Sequence, residues 1–472
     1  MTTIPGNRWD QLDVDPVGAT RRVSVCIPAR DAGAALDRTL AALRVQRYPA
    51  DAFEVVVVDD SSSPPLAIDP GGWPLSVHRH DGGRGFGAAG ARNAAAAVAT
   101  GDILVFLDAD VIPSRDFVAA MARWFDATDD AVVLGAMRFV DVDDLSAAEV
   151  ERLLLDGSWD EAAQARRIPG QDWRDVYFAQ TRGFTVDEVD LFRVVTGAAL
   201  AVHRERFREV GGFADVDIRG VGDTELGYRL MTNGGVLVPE AAALAWHQGR
   251  PTLRGGAARR NRGERRATTE QLLPVGGFRG PRPLVDADGR VVPRAVVHVV
   301  GDPSDRRVAR AVERIRAVGS TDVAVTTVDT IAPDGRFTPA FARIWCSPDH
   351  LWGPGTLLRV IDALSAPDVG RLRVPSADGG VVLEAYTTRS LCRAARADGA
   401  SSIGDRAARL FGDRWVAAER IDLRVVGPDG SVAPIRRRER GAQQILARLR
   451  WIGHTGRRRV AQPPTVRNGS DS

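Results

Sequence analysis

Apolar positions near the start of the chain fall into short unbroken runs separated by stretches of helical spacing. Val23–Ile27 reads as a strand, and so does Phe53–Val58, apolar except for Glu54. Between them Leu36, Leu40 and Leu43 recur at helical intervals over 36–45. Strand, helix, strand predicts a parallel sheet with a right-handed crossover. A further strand over Leu75–Arg79 leads through a glycine-rich loop into an alanine-rich helix, Ala88–Ala99. Ile103–Leu107 follows, a continuous apolar run bounded by Gly101 and Pro113. It suits the centre of a sheet covered on both faces. This strand runs directly into Asp108-Ala109-Asp110.

Residues 140–190 read as irregular and carry Trp159, Trp173, Tyr177, Phe178 and Phe184, which suit either a stacking platform for a sugar or packing under a long excursion. Regular pattern returns at 194–213, a strand and a short helix closed by Gly211-Gly212. The next helix shows a face of Leu226, Leu230 and Met231, has Asp223 near its start, and stops at Gly234-Gly235. The segment 236–251 then reaches His247. Gly280–Pro293 reads as a linker, and its second Asp-Ala-Asp (286–288) has no strand before it and is turn chemistry. From Ala295 the order strand (295–300), helix (306–318), strand (322–328) echoes the opening unit. Helical Leu357–Leu364 and the stretch VVLEAYTTRSLCRAARA (381–397) come later. The expected division is a flexible arm (1–20), a first α/β domain (21–275), a linker (276–294), a second, smaller α/β domain (295–430) and a basic tail (431–472).

Composition narrows the classes. With 44% hydrophobic and 26% charged residues in 472, and a net charge of +2, the chain reads as soluble and globular, with no global case for a nucleic-acid partner. Every basic residue is arginine. The absence of lysine excludes a Walker P-loop, a Schiff-base enzyme and a protein kinase. Cys26, Cys346 and Cys392 lie far apart without metal-ligand spacing and suit reduced, buried thiols. The opening residues lack the features of a signal peptide, and no run approaches the ~18 apolar residues of a membrane span. A cytoplasmic location is therefore expected. The segment 435–460, with nine Arg against one Glu and Ile445, Leu449 and Trp451 interleaved, suits peripheral contact with the inner membrane face or a disordered basic tail.

Candidate chemistry gathers at strand ends. Ligands of parallel sheets bind at the carboxyl ends of their strands. Asp59-Asp60 and Asp108–Asp110 would share that edge. Stranded carboxylates cost desolvation energy unless a cation sits beside them, and a hard divalent ion with phosphate oxygens is the natural partner. Gly85–Gly90 is a literal GxGxxG opening a helix and keeps an NAD(P)-dependent oxidoreductase in view as an alternative. Against it, a complete βαβ unit precedes the motif, and its strand is polar (His78, Arg79, His80). The glycines are better read as close packing, with Arg92-Asn93 facing the nucleotide. Asp223 alone suits helix capping, and His247 alone suits a structural role.

Taken in order, the opening strand into Pro28, VVVVDDSS, GAAGARNAAAAVATGD, FLDAD, VTGAALAVHRERFREVGGF, GDTELGYRL and AWHQG resemble the metal-dependent inverting glycosyltransferases of family 2. The likeness covers about residues 21–255, and the later segments are most similar to the galactosyl- and N-acetylhexosaminyl-transferring, chondroitin-polymerase-like branch. The resemblance implies a GT-A fold, a Rossmann-like mixed sheet flanked by helices. The second α/β domain would then be a separate unit or a degenerate repeat of the same fold. It also implies donor contacts from Pro28, Arg30, Asp60, Arg92 and Asp108, Mn2+ or Mg2+ on Asp110 and His247, and Asp223 as catalytic base. The implied partners are a nucleotide sugar, expected to be UDP-linked in this branch, and a glycan, lipid-linked or secondary-metabolite acceptor; a homodimer is a further expectation. One position departs from the family pattern. Gly222 stands where a Glu usually precedes the base, which keeps an inactive nucleotide-sugar-binding scaffold as a further alternative.

Overall fold

The structure is a computed structural model that describes residues 4–15, 21–80, 87–169, 173–186, 188, 190–214, 221–249, 273, 284–285, 291–319, 323–376, 379–426 and 432–434. The arginine-rich 250–266 stretch, the second Asp-Ala-Asp, Gly85 and Phe86 of the glycine motif, and the 435–460 segment lie outside the described residues.

The first unit is built on β1 (Val23–Ala29), α1 (Gly33–Arg44), β2 (Phe53–Asp59), β3 (Leu75–Arg79), α2 (Ala88–Val98), β4 (Ile103–Leu107) and β5 (Val111–Pro113). The chain continues through α3 (Phe117–Ala122), β6 (Ala131–Val140), α4 (Ala147–Leu155), α5 (Trp159–Ala165) and α6 (Trp173–Gln180). It ends in β7 (Ala199–His203), α7 (Arg204–Glu209), α8 (Val221–Thr232) and β8 (Val236–Gln248). These strands form one mixed sheet in the order β3-β2-β1-β4-β7-β6-β8-β5, with β1, β2, β3 and β4 parallel and β7 running against β4. The expected mixed α/β architecture is present. Val25, Cys26, Ile27 and all of β4 are fully buried. This explains the unbroken apolar runs, because a central strand faces core on both sides. Each such side chain contributes ~1.5–3 kcal/mol on burial.

Two readings are corrected here. Residues 4–15 do not form a loose arm. Asn7 is fully buried and donates to the carbonyls of Phe184 (2.7 Å) and Leu237 (2.9 Å) while accepting from the Leu237 N–H (2.9 Å). Residues 140–190 are not irregular: α4, α5 and α6 lie there. Ser146 and Glu149 close a capping box at the start of α4. Trp159 and Phe184 are buried, which favours packing over a sugar platform, whereas Phe178 is exposed. The stretch 381–397 divides into a strand and a helix.

A short ribbon of β9 (Leu284–Val285) and β10 (Val291–Val292) lies within the segment read as a linker. The second unit contains β11 (Ala295–Val300), α9 (Arg306–Gly319), β12 (Val323–Val328), β13 (Ala342–Cys346), β14 (His350–Trp352) and α10 (Thr356–Leu364). It continues with β15 (Arg371–Pro375), β16 (Val381–Thr387), α11 (Thr388–Arg396), α12 (Ile403–Phe411), β17 (Asp413–Trp415), β18 (Leu423–Val426) and β19 (Val432–Pro434). Its main sheet runs β12-β11-β13-β16-β15-β17, and β14, β18 and β19 make a smaller one.

Arginines of α11 join the two units. Arg393, only 2% exposed, donates to the carbonyls of Gly234 (2.7 Å), Gly235 (2.9 Å) and Gly6 (2.6 Å). Arg396 binds Asp130 at 2.9 Å and the Asn233 carbonyl. The Asn233, Gly234 and Gly235 carbonyls lie just past the carboxyl end of α8, where the helix dipole favours cations. Among the described residues no helix is long and apolar enough to cross a membrane.

Candidate active site

The sheet sets the site by bringing strand ends to one edge. Ala29 pairs with Asp59, and Cys26 pairs with Phe106, so β1, β2 and β4 finish together. β8 runs parallel to β6 and delivers His247 beside Val111, just past the Asp108–Asp110 turn.

Asp59 and Asp60 divide the work at the end of β2. Asp59 accepts from the Ser62 N–H (2.8 Å), the Leu66 N–H (3.1 Å) and Arg79 (2.8 Å). Burial pushes its carboxyl up, but these bonds and the Arg79 charge outweigh that and leave it below the usual carboxylate range. Asp59 is thus the residue that builds the turn. Asp60 is 4% exposed, and its Oδ1 lies 3.3 Å from His80 Nδ1 and accepts from Gly87 N at 3.4 Å, at the start of α2. Pro28 is half-buried in β1; Arg30 follows that strand, exposed, with Nε 3.9 Å from Asp31.

The centre of the site is Arg92, on α2. Read from sequence as reaching a nucleotide, it is instead 7% exposed, with Nη2 2.6 Å from Asp108 Oδ1 and Nη1 3.3 Å from Asp223 Oδ1. Burial alone would lower its pKa, but Asp108 and then Asp223 overcome that and raise it. The guanidinium carbon also stands 5.3 Å from the Phe213 ring centroid. Gly197, which precedes β7, makes the arrangement possible, since a Cβ there would fall 2.6 Å from the guanidinium carbon. Next door, Asn93 clamps Phe213 through both its N–H and its carbonyl at 2.8 Å. The structure therefore links Asp108 and Asp223, 115 positions apart in sequence, through one buried cation.

Asp110 and His247 form the second pair, with Nε2 3.4 Å from Oδ2. His247 Nδ1 lies 2.9 Å from the Gln248 carbonyl, which can only accept, so Nδ1 carries the proton. In the neutral ring the Nε2 lone pair would face a carboxylate oxygen, and a cation between them would satisfy both. This donor set fits a hard or borderline divalent ion that completes its coordination with phosphate oxygens. Among the described residues no third His, Cys, Asp or Glu joins the pair.

Residues that the sequence did not mark hold this pair in place. Gln248 is 8% exposed; its Oε1 accepts from Arg38 at 3.0 Å, and its amide donates to the Ala35 carbonyl at 2.9 Å. Thr39 donates to the Ala109 carbonyl at 2.8 Å, inside the Asp-Ala-Asp turn. One helix, α1, thus orients both halves of the pair. Glu225, two residues after Asp223, is committed to Arg229 at 2.6 Å.

The glycine motif leads from β3, the edge strand of the sheet, and not from its first crossover. This is not the setting of a dinucleotide fingerprint.

The carboxyl edge of this mixed α/β sheet thus carries two aspartate pairs, a histidine and a buried arginine. The profile of glycosyl transferase family 2 matches residues 24–194. It is 31% identical over 249 residues to the pre-mycofactocin glycosyltransferase of Mycobacterium tuberculosis (strain ATCC 25618 / H37Rv), covering 52% of this chain and 47% of that one. To the chondroitin synthase of Pasteurella multocida (strain Pm70) it is 27% identical over 261 residues, 52% of this chain and 26% of that one. Among solved structures, the mannosyltransferase PcManGT from Pyrobaculum calidifontis, in complex with GDP-Man and Mn2+, is similar at TM-score 0.38 and 21% identity, over 56% of this chain and 68% of that one. The chain spans about half the length of the first of these relatives. The family match ends at residue 194, before Asp223 and His247.

Proposed function

We propose that the chain is a metal-dependent inverting glycosyltransferase. It moves a hexose or N-acetylhexosamine from a nucleotide sugar, with UDP as the leading carrier, to a hydroxyl of a glycan, lipid-linked or secondary-metabolite acceptor. The observation that carries this reading is the Arg92 bridge, which ties the Asp108–Asp110 turn to Asp223. In this reading Asp110 and His247 hold Mn2+ or Mg2+, and the bound ion supplies neutralisation of charge on the departing diphosphate. Pro28, Arg30 and Asp60 line the nucleoside side, with Asp108 near the ribose. Asp223 takes the proton from the acceptor hydroxyl as the acceptor oxygen bonds to the anomeric carbon and the bond to the diphosphate breaks. A single displacement of this kind inverts the anomeric centre. Arg92 keeps Asp223 in position without touching the sugar.

The test is transfer or donor hydrolysis across a panel of UDP-sugars with Mn2+, in the full chain and in Asp223→Asn. A positioned base contributes ~10²–10⁴ in rate, so the variant should lose about that much while still binding UDP. Equal rates in both proteins would remove Asp223 from the role. Binding of UDP with no turnover by the unaltered chain would favour the scaffold alternative, with Gly222 as its motivation.

A further inference from the structure

We infer that residues 295–426 are a second copy of the fold in residues 23–249, with the donor site dismantled, so that one chain holds one nucleotide. The inference rests on the proposed reading of the first site. In the first sheet β1 is flanked by β2 and β4, both parallel to it; β7 then runs antiparallel beside β4, and β6, earlier in the chain than β7, lies beyond it. In the second, β11 is flanked by parallel β12 and β13; β16 runs antiparallel beside β13, and β15, earlier than β16, lies beyond it. The outer strands match as well, with β8 parallel to β6 and β17 parallel to β15.

Register makes the match residue by residue. Val23 pairs with Phe53 and Ile103, and Ala295 pairs with Val323 and Ala342. Counting from Ile103 and Ala342, the short strands β5 and β14 start at the same offset, 111 and 350. Ile103 pairs with His203 and Ala342 with Thr387, and a helix starts at the next residue in each case, α7 at Arg204 and α11 at Thr388. The following helices open Val221-Gly222-Asp223 and Ile403-Gly404-Asp405. A generic α/β unit shares strand order but has no reason to share these offsets.

The same alignment shows what was lost. Asp108 corresponds to Ser347 and Asp110 to Asp349. His247, paired with Val111, corresponds to Val425, paired with His350, and valine has no donor atom. No helix intervenes between β12 and β13, so Arg92 has no counterpart. The two carboxylates that remain are taken by internal cations. Arg307 lies 3.6 Å from Asp349, and Arg371 lies 2.9 Å from Asp405.

Calorimetric titration of the full chain with UDP in the presence of Mn2+, repeated with GDP, tests this. We expect one site per chain, lost in Asp110→Ala and changed less than twofold in Asp349→Ala or Asp405→Asn, with circular dichroism confirming that each variant is folded. Two sites, one surviving Asp110→Ala and abolished by Asp349→Ala, would overturn the inference. No binding by either nucleotide would sink the donor reading of the first site, and the count of one nucleotide per chain with it.

Discussion

Val25, Ile27, Val105 and Leu107, on one face of the first sheet, have Val297, Val299, Ile344 and Cys346 as register counterparts in the second, and all are buried in apolar clusters. The opposite faces have diverged. Cys26, Leu104, Phe106 and Leu200 form core in the first unit, where α2 lays Ala91 and Ala95 against them. Their counterparts are His298, Arg343, Trp345 and Glu384. With no helix between β12 and β13, that face meets a loop whose Asp334 accepts from Arg343 at 2.6 Å. A covered face needs apolar residues, whereas a face under irregular backbone needs side chains that satisfy polar groups. The helix that covers the first face also carries Arg92, so its absence removes both the apolar demand and the bridge between Asp108 and Asp223.

The sharpest way to break the comparison is to exchange the fates of the two matched aspartates. Asp223→Asn should cost ~10²–10⁴ in transfer rate. Asp405→Asn, at the same position of its helix, should leave the rate within twofold. Initial rates at saturating donor decide it, and equal losses in both variants would show that the second site is alive.

Next in size is the joint between the units. Arg393→Met should destabilise by about 3 kcal/mol, because it strands the Gly234 and Gly235 carbonyls that the guanidinium satisfies. The exposed Arg310→Met on α9 should stay within about 0.5 kcal/mol. Urea unfolding with a fluorescence probe measures both. A small effect at Arg393 would mean that the units are held by something other than α11.

A pH titration separates the two faces. His298 donates from Nδ1 to Thr326 at 2.8 Å and accepts from Arg343 at 3.4 Å. Burial, and then the Arg343 charge, push it down to about 4. The folded protein therefore resists a proton that the unfolded chain accepts near pH 6.5. Stability from this residue is complete above that pH and is lost as pH falls through about 4, by about 3 kcal/mol. Its counterpart Cys26, whose thiol burial pushes up, has no titration in that window. His298→Gln should flatten the slope of stability between pH 6.5 and 4; an unchanged slope would place the titration elsewhere.

The sequence made much of the first unit legible because burial on both faces leaves unbroken apolar runs, as in Ile103–Leu107. It also placed Asp108, Asp110, Asp223 and His247 as candidates. What it could not show was contact over distance. Arg38 and Gln248 meet across 210 positions, and neither has a local pattern that announces the other. The polar residues of the second sheet broke the strand signal for a similar reason: Glu384 and Tyr386 interrupt β16, and their hydrogen bond at 2.6 Å forms only once the strand exists. The Ser146–Glu149 capping box, by contrast, was readable and went unread among the aromatics of 140–190.

The smallest predicted effect concerns the glycine before each matched aspartate. At Gly404 a Cβ would fall 2.3 Å from the Tyr386 hydroxyl, so packing requires glycine there. At Gly222 the nearest described contact for a Cβ is the Ala214 carbonyl at 3.7 Å, an ordinary separation. Gly404→Ala should then cost about 1–2 kcal/mol by overpacking, while Gly222→Ala should stay within about 0.5 kcal/mol. Parallel thermal unfolding of the two variants provides the measurement. A neutral Gly222→Ala would show that packing does not dictate the missing Glu, leaving the position free to serve the acceptor side of the site. Equal destabilisation would instead mean that both glycines answer to packing alone.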